Sequence, residues 1–584
     1  MKDRRGLWAL LACAAMAFGL RVYAIEWGLP DLHHPDEPYI LNRALAFAKG
    51  DPSPHNFLYP TLYFYALFVW EGLFFVAGRL AGVFASVAAF EREFFVDPSR
   101  VVIAGRLLTA LFGVATVAAV YRLGTRLYGK GAGLGAALLL AVAPFAVRDA
   151  HYIKLDVPVT LFVVLAQAAV ARLVVDPAAA ARRGPWMAAG AMVGLALSTQ
   201  YYVFPLVLSI AAAATIEAHR LGRVAGAVRP LVWAGVASIA AFVAATPFLL
   251  PELDIAIRDM VAVRQINVDR AVGGAGAFTS LGAYLRMIAT DAVGWPTAAA
   301  AAAGFALAAI RDWRRWVALT CFPLVFLAFL ANTVPMSRYL NALLPSLAVA
   351  AAFAVTRGLA AVSRNRGEAR PLVAAMAFVA LAVPGLVGSL RSDTFYSQAD
   401  TRTLARGFIE RTAPPGATVL VQPHGVQPRP SREALVEALR AHLGSEARAS
   451  IKFQKQLDAA SAVSPTFRVL YVGTVTDTDA AVDKMYISPA EFDHGGGLEP
   501  LRMRRVAYAA VSRYRTGTLA FPSLDAALQG GARLLATFSP YRPEIGPDRR
   551  ARIAPFFHNT ADRIDPALER PGPVIEVWRI DPLR

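Results

Sequence analysis

Arg21-Val22-Tyr23-Ala24-Ile25-Glu26 closes an apolar run, and Leu32-His33-His34-Pro35-Asp36-Glu37-Pro38 follows a few residues later. Residues 7–25 are nearly all apolar, and Lys2, Arg4 and Arg5 precede them. That length suits a crossing of a ~30 Å hydrocarbon core. A cleaved signal peptide would need a better site than Val22-Tyr23-Ala24. Arg21 and Tyr23 suit an interfacial anchor, so we read an uncleaved first helix. It delivers two adjacent carboxylates, Asp36 and Glu37, to the far side of a membrane.

The rest of the chain supports a membrane reading. Of 584 residues, 56% are hydrophobic and 17% charged, with mean hydropathy +0.45. That is too apolar for a soluble protein and too long for one domain. The net charge of +17 does not imply nucleic acid, because much of it lies in short loops between apolar runs, as the positive-inside bias requires. Cys13 and Cys321 both sit in apolar runs. They read as small core residues, and no disulfide framework or cysteine metal site is available.

Further apolar runs at 100–122, 132–147, 157–174, 186–199, 201–217, 231–250, 294–310, 316–333, 338–357 and 371–390 are expected to span. A span at 60–89 would put every strongly basic short loop on the outside. These loops hold Arg122, Arg126 and Lys130; Arg182 and Arg183; Arg220 and Arg223; Arg311, Arg314 and Arg315; and Arg364, Arg366 and Arg370. Interfacial or re-entrant helices over 60–99 restore the bias. The expectation is about eleven transmembrane helices, with the N-terminus inside and the C-terminus outside. Asp36-Glu37, the Arg148–Asp156 break, Gln200-Tyr201-Tyr202, residues 251–293 and Ser337-Arg338-Tyr339 then share the outer face.

Residues 1–390 form the membrane module, with an outer loop over 26–99. Beyond 390, charges, glycines and prolines reach soluble-domain density. Short β-rich runs at 418–421, 467–472, 533–538 and 574–579 alternate with helical patterns at 401–412 and 431–443. We read residues 391–584 as an α/β domain on the outer face. No phosphate loop or dinucleotide fingerprint is present.

Three motifs carry chemistry. Asp36-Glu37 suits a general base toward a hydroxyl or amine, a hard-oxygen metal ligand, or a prolyl turn with solvated carboxylates. Arg148-Asp149-Ala150-His151-Tyr152-Ile153-Lys154-Leu155-Asp156-Val157-Pro158 breaks two apolar runs. Asp156 there is either a second reactive carboxylate or a helix-start charge, and His151 either a ligand or a satisfied interfacial histidine. In Pro335-Met336-Ser337-Arg338-Tyr339 the arginine either snorkels or holds a phosphate, whose geometry suits guanidinium. Tyr59, Tyr63, Tyr201 and Tyr202 either stack on sugar faces or form an interfacial belt.

Together, His34-Pro35-Asp36-Glu37, Tyr59-Pro60-Thr61-Leu62-Tyr63-Phe64-Tyr65, His151-Tyr152 with Asp156-Val157-Pro158, and Arg338-Tyr339 with Pro345 resemble a known family. They resemble the lipid-carrier-dependent glycosyltransferases of the GT-C fold, the family 39 group of protein O-mannosyltransferases and aminoarabinose transferases. The likeness covers roughly residues 1–390. It implies a polyprenyl-phosphate sugar donor reached from the membrane lipids, and a protein, lipid or glycan acceptor approaching from outside. It implies Asp36 as base, Glu37 as its support and Asp156 as a positioning group, with inverting displacement at the anomeric carbon. Arg338 would hold the donor phosphate. Tyr59, Tyr201, Tyr202, Arg148 and His151 join it as substrate-binding candidates. Many relatives carry a lysine where Phe57-Leu58 stands here, so one phosphate-directed charge is missing.

No metal is required on this reading. A divalent site, if formed, would draw on Asp36, Glu37, Asp156 and His34, with His151 beside them. The implied location is a bacterial inner or cell membrane, with the active site extracytoplasmic. Two other classes compete. A transporter or flippase of lipid-linked glycans needs charges inside its spans, and few are evident. A membrane-anchored assembly protein of the cell envelope needs no acidic residues and arginine gathered on one face.

Overall fold

The computed structural model describes residues 2–362, 370–473, 481–493, 497–513, 521–556 and 564–581. Arg364 and Arg366 of the last basic group lie outside the described residues. The chain forms two compact units. The first comprises residues 1–25, 36–72 and 104–393, and the second residues 26–35, 73–103 and 394–584. The boundary therefore does not fall once, near 390.

The first unit is helical. Among the described residues, nine helices are long and apolar enough to cross a membrane, or up to eleven if each of two bent helix pairs counts as one span. The bent pairs are Lys130–Ala141 with Pro144–His151, and Leu281–Ala292 with Trp295–Arg311. The total meets the expectation of about eleven, but its membership differs. Leu62–Leu80 is one 19-residue helix of sufficient length and apolarity, where an interfacial segment was expected. Arg183–Leu197 has only 15 residues, about 22 Å at 1.5 Å per residue.

That short helix is tied to Val228–Ala245 by small residues. A Cβ on Gly190 would collide with the Ala234 carbonyl, and one on Gly194 with that of Ser238. The four-residue spacing puts both glycines on one face, so the backbones meet directly. Gly304 does the same against Ala350 on Leu344–Val362. A continuous buried core of alanine, valine and leucine with Trp186, Phe322 and Phe326 fills the unit.

Few charges were expected inside the spans, and the buried ones include Arg21, Glu71 and Arg106. Arg21 donates to the carbonyl oxygens of Ala17 and Ala141. Arg106 pairs with Glu37. Both carboxylate oxygens of Glu71 lack a hydrogen-bond partner among the described residues. Arg21 and Arg106 are held by contacts within the fold, although Arg21 Nε has no hydrogen-bond partner among the described residues.

The second unit holds a six-stranded sheet. Its strands are β1 (Thr418–Val421), β2 (Arg468–Val472), β3 (Met485–Ile487), β4 (Val506–Arg513), β5 (Arg533–Phe538) and β6 (Val574–Arg579). The spatial order is β3-β2-β1-β4-β6-β5. β1 to β4 run parallel, and β6 pairs antiparallel with β4 and β5. The four strands expected from sequence are present, as are helices Thr401–Thr412 and Arg432–Leu443. β3 and the central β4 were not anticipated. Val506-Ala507-Tyr508-Ala509-Ala510-Val511 lacks the polar alternation of a half-buried strand, because both of its faces are covered.

Residues 26–35 belong to this unit because their side chains are used there. Asp31 pairs with Arg406 in a short ion pair, His33 Nε2 lies 3.1 Å from Thr403 Oγ1, and Trp27 packs on Tyr396 at 5.3 Å. Residues 73–103 fold on themselves through a Phe74, Phe75, Phe84 and Phe90 cluster and join the rest of this unit through contacts that include the Lys455–Glu91 ion pair at 2.8 Å.

Candidate active site

The site is a cavity of about 560 Å³ within the first unit. One part of its wall carries Asp36, Lys154, Asp156 and Arg338, with Tyr59, Tyr201, Tyr202 and Tyr339 beside them. The lining also includes the apolar side chains of Met260, Val263, Ile266, Val268, Phe329 and Leu330, with Arg264 and Asn267 among them. The sequence motifs supplied the polar part. Met260, Val263, Ile266 and Val268 come from residues 251–293, which the sequence marked only as a loop, and Phe329 and Leu330 from the expected span 316–333.

Asp36 opens the helix Asp36–Ala46, where a carboxylate is favoured by the helix dipole. Its Oδ2 lies 3.5 Å from Lys154 Nζ and 3.9 Å from Arg338 Nη1. Asp156 opens Asp156–Val175 in the same way. Its Oδ2 is 3.5 Å from Lys154 Nζ, and its Oδ1 accepts a 3.0 Å hydrogen bond from Tyr202 Oη. Lys154 bridges the two carboxylates. The sequence reading quoted Lys154 but gave it no role.

Glu37 takes the opposite direction. It is fully buried and grips Arg106 at two points, Nε to Oε1 and Nη2 to Oε2, each 2.8 Å. Its Oε1 also accepts from the Ile153 backbone N–H at 3.0 Å. One carboxylate thus ties Asp36–Ala46 to Ser99–Tyr128 and to the residue before Lys154. Glu37 is not among the cavity-lining residues; it positions the two that are. Arg106 was missed in the sequence, although an arginine inside the apolar run 100–122 was the available signal.

Arg338 sits in the short helical turn Ser337–Ala342, not at the start of the long helix that follows. Burial works against its charge. Tyr339, Asp156 and Asp36 outweigh that cost and hold its pKa above the usual guanidinium value. The turn is braced from behind. Arg148 donates to Ser337 Oγ at 2.9 Å and to Asp149 Oδ1 at 2.9 Å. Asn341 Nδ2 donates to Asp149 Oδ2 at 2.6 Å and to the Arg338 carbonyl at 3.0 Å. Arg148 is buried and outside the cavity lining, so its position is that of a brace rather than a substrate contact.

His151 also lies outside the lining. It is fully buried, with Nδ1 3.0 Å from the Val147 carbonyl and Nε2 2.7 Å from that of Tyr23. The satisfied histidine describes it. Tyr59, Tyr201 and Tyr202 do line the cavity. Burial, and next the Asp36 charge, raise the pKa of the Tyr59 phenol, so it stays neutral. The Tyr201 hydroxyl has no hydrogen-bond partner among the described residues.

Of the four metal candidates, Asp36 and Asp156 share the cavity, while Glu37 is committed to Arg106. His34 is buried in the other unit. Among the described residues no group of three or more histidine, cysteine or carboxylate side chains could hold a metal ion.

Residues 99–250 match the family model described as dolichyl-phosphate-mannose-protein mannosyltransferase. The fold is that of solved membrane glycosyltransferases. ArnT from Cupriavidus metallidurans in the apo state superposes with a TM-score of 0.52 at 15% identity, over 92% of this chain and 97% of that one. The same protein bound to undecaprenyl phosphate gives 0.50 at 15% identity, over 91% and 96%. The apo oligosaccharyltransferase of Archaeoglobus fulgidus gives 0.50 at 12% identity, over 98% and 88%. No curated protein sequence matches the chain.

Proposed function

We propose that this glycosyltransferase of the GT-C fold, similar to the family 39 enzymes, moves a sugar from a polyprenyl-phosphate carrier to an acceptor on the extracytoplasmic side of a bacterial membrane. The observation that carries this reading is the mixed lining of the cavity. Asp36, Asp156, Lys154 and Arg338 gather there, with Lys154 3.5 Å from both carboxylates and Arg338 3.9 Å from Asp36. Apolar side chains suited to an isoprenoid line the same cavity, with Arg264 among them as a third cation. The undecaprenyl phosphate bound to the similarly folded ArnT supports the same donor class.

The chemistry is a direct displacement. Asp36 takes the proton of an acceptor hydroxyl or amine as that atom attacks the anomeric carbon. The bond from that carbon to the phosphate oxygen breaks, and the electron pair leaves with the polyprenyl phosphate. A single displacement inverts the anomeric centre. Arg338 faces the departing phosphate, whose growing charge suits a preorganised cation. Asp156, fixed by Tyr202, orients the acceptor or the base. Tyr59 and Tyr201 offer ring faces to the sugar. Those residues supply a base, a cation and positioning, so we assign no metal to the reaction.

The test is transfer by purified full-length protein from a panel of polyprenyl-phosphate sugars, with Asp36→Asn beside wild type. Transfer from one donor, lost in the variant while binding of that donor persists, is the expected result. Full activity in Asp36→Asn overturns the assignment of the base. Binding without transfer by wild type points to a carrier of lipid-linked glycans instead.

A further inference from the structure

Each ring nitrogen of His151 faces a carbonyl oxygen. Nδ1 lies 3.0 Å from that of Val147, and Nε2 2.7 Å from that of Tyr23. The Arg148 carbonyl acts on the ring in the same sense. A carbonyl only accepts, whereas a neutral imidazole has one N–H and one bare lone pair. One of the two close contacts would then set lone pair against lone pair. An imidazolium donates from both nitrogens and satisfies both. A negative partner is also at hand. Asp393 Oδ1 stands 3.7 Å from Nε2. Asp393 is buried, and neither of its oxygens has a hydrogen-bond partner among the described residues. A buried carboxylate needs a counter-charge to stay ionised. Arg21 adds a second positive charge toward it. Burial and the charge of Arg106 oppose a proton on His151, but Glu37 meets that charge at two points of 2.8 Å. The charge of Arg148, on the same segment, is met by Asp149 at 2.9 Å.

We propose that His151 is a buried imidazolium with Asp393 as its counter-ion, and that this charged staple positions the segment carrying Lys154 and Asp156. The staple joins three parts of the membrane module. Tyr23 ends the first helix, His151 stands three residues before Lys154 and five before Asp156, and Asp393 lies in the last long helix, Arg370–Tyr396. The Ile153 N–H bond to Glu37 is the second tether of the same segment. Loss of the His151 proton leaves a lone pair facing a carbonyl oxygen and removes the counter-charge of Asp393. The segment then keeps only the Glu37 tether of the two, and the cavity carboxylate and ammonium lose their fixed position. His151 is thus a positioning residue that touches no substrate. The positioning role rests on the site proposed above; the charge pair does not.

The experiment reads the ring directly, by nitrogen NMR of full-length protein isotope-labelled at histidine in lipid nanodiscs, from neutral to alkaline pH. His151→Gln identifies the signal among the nine histidines. If that variant does not accumulate, the signal displaced by Asp393→Asn identifies it, and no displaced signal overturns the inference. We expect a doubly protonated His151 at neutral pH, and release of its proton about one pH unit lower or more in Asp393→Asn. A proton held beyond the unfolded value of ~6.5 stabilises the fold below that value, and the gain is lost as pH rises through the point of release. The wild-type unfolding midpoint should therefore fall over that interval, and that of His151→Gln should not. Transfer kcat should fall over the same interval, and Asp393→Asn should move both falls together. A singly protonated ring at neutral pH overturns the inference, as does a release unmoved by Asp393→Asn. A kcat that stays level while the ring loses its proton overturns the positioning role. A wild type that transfers no sugar counts against the donor reading alone, and the ring signal and the unfolding midpoint then decide the inference.

Discussion

Glu37 and Arg106 form a two-point ion pair, both contacts 2.8 Å, with neither side chain exposed to solvent. The residue immediately before Glu37 is the cavity carboxylate Asp36. The pair therefore sets where Asp36 stands. Removing one partner of a buried pair leaves an uncompensated charge and costs about 3–5 kcal/mol. Glu37→Met and Arg106→Met should each lower the thermal unfolding midpoint of the detergent-solubilised protein sharply, and the double variant should be less destabilised than the sum. Additive losses would show that the two side chains act independently.

Tyr202 donates its hydroxyl to Asp156 at 3.0 Å. Tyr202→Phe keeps the ring that packs 5.0 Å from Tyr339 and removes only that bond. A hydrogen bond to a charged group contributes about 1.5–3 kcal/mol. Transfer kcat/KM should fall by on the order of tenfold with unfolding behaviour unchanged. A wild-type rate in Tyr202→Phe would remove Asp156 orientation from the mechanism.

His55 lies between Asp51 at 2.8 Å and Glu252 at 2.9 Å. The Asp51 hydrogen bond, and then the charge of Glu252, raise its pKa above the usual imidazole value. A raised histidine favours the folded loop below the unfolded pKa of ~6.5, and that contribution is lost as pH rises through the folded value. Titration of His55 by NMR should give a value above ~6.5, lowered more by Asp51→Asn than by Glu252→Gln. The reverse order would reassign the main partner.

Gly190 and Gly235 lie on two helices that meet face to face, but only the first is enclosed. Its Cβ would strike the Ala234 carbonyl, whereas nothing lies within 4 Å of a Cβ on Gly235. Overpacking a tight contact costs about 1–3 kcal/mol. Gly190→Val should reduce folded yield in membranes and lower the unfolding midpoint, and Gly235→Ala should not. Equal tolerance of both would place the helix pair further apart than described.

The placement of Leu62–Leu80 decides the membrane topology. If this helix and Val87–Val96 return the chain to its starting side, residues 49 and 97 share that side. In a background lacking Cys13 and Cys321, Lys49→Cys and Asp97→Cys should label equally with an impermeant thiol reagent on intact cells. Labelling of Asp97→Cys only after permeabilisation would make Leu62–Leu80 a full crossing and reverse every later loop.

Much of the cavity was legible as motif. Asp36, Asp156, Tyr59, Tyr201, Tyr202 and Arg338 were marked by position at the ends of apolar runs, and all line it. Charge and ring chemistry at a span end is a local signal. The errors were of a different kind. His151 and Arg148 stand in the same motif as Asp156 but turn into the protein, His151 onto backbone carbonyls and Arg148 onto Ser337 and Asp149. The inward turns that follow one another over residues 148–156 cannot be phased from composition. The sheet suffered likewise. β4 lies at its centre, and a strand covered on both faces has no period to detect.

Sequence alone determined that this is a polytopic membrane protein, that carboxylates follow its first helix, and that an α/β region follows its last. Those are consequences of run length and residue chemistry. Only the tertiary structure decided the division of labour between Asp36 and Glu37. Successive residues on an α-helix point about 100° apart at 3.6 residues per turn. One of the pair therefore faces the cavity with Lys154 and Arg338, and the other is carried round onto Arg106. Which is which depends on the helix's rotation, and packing sets that.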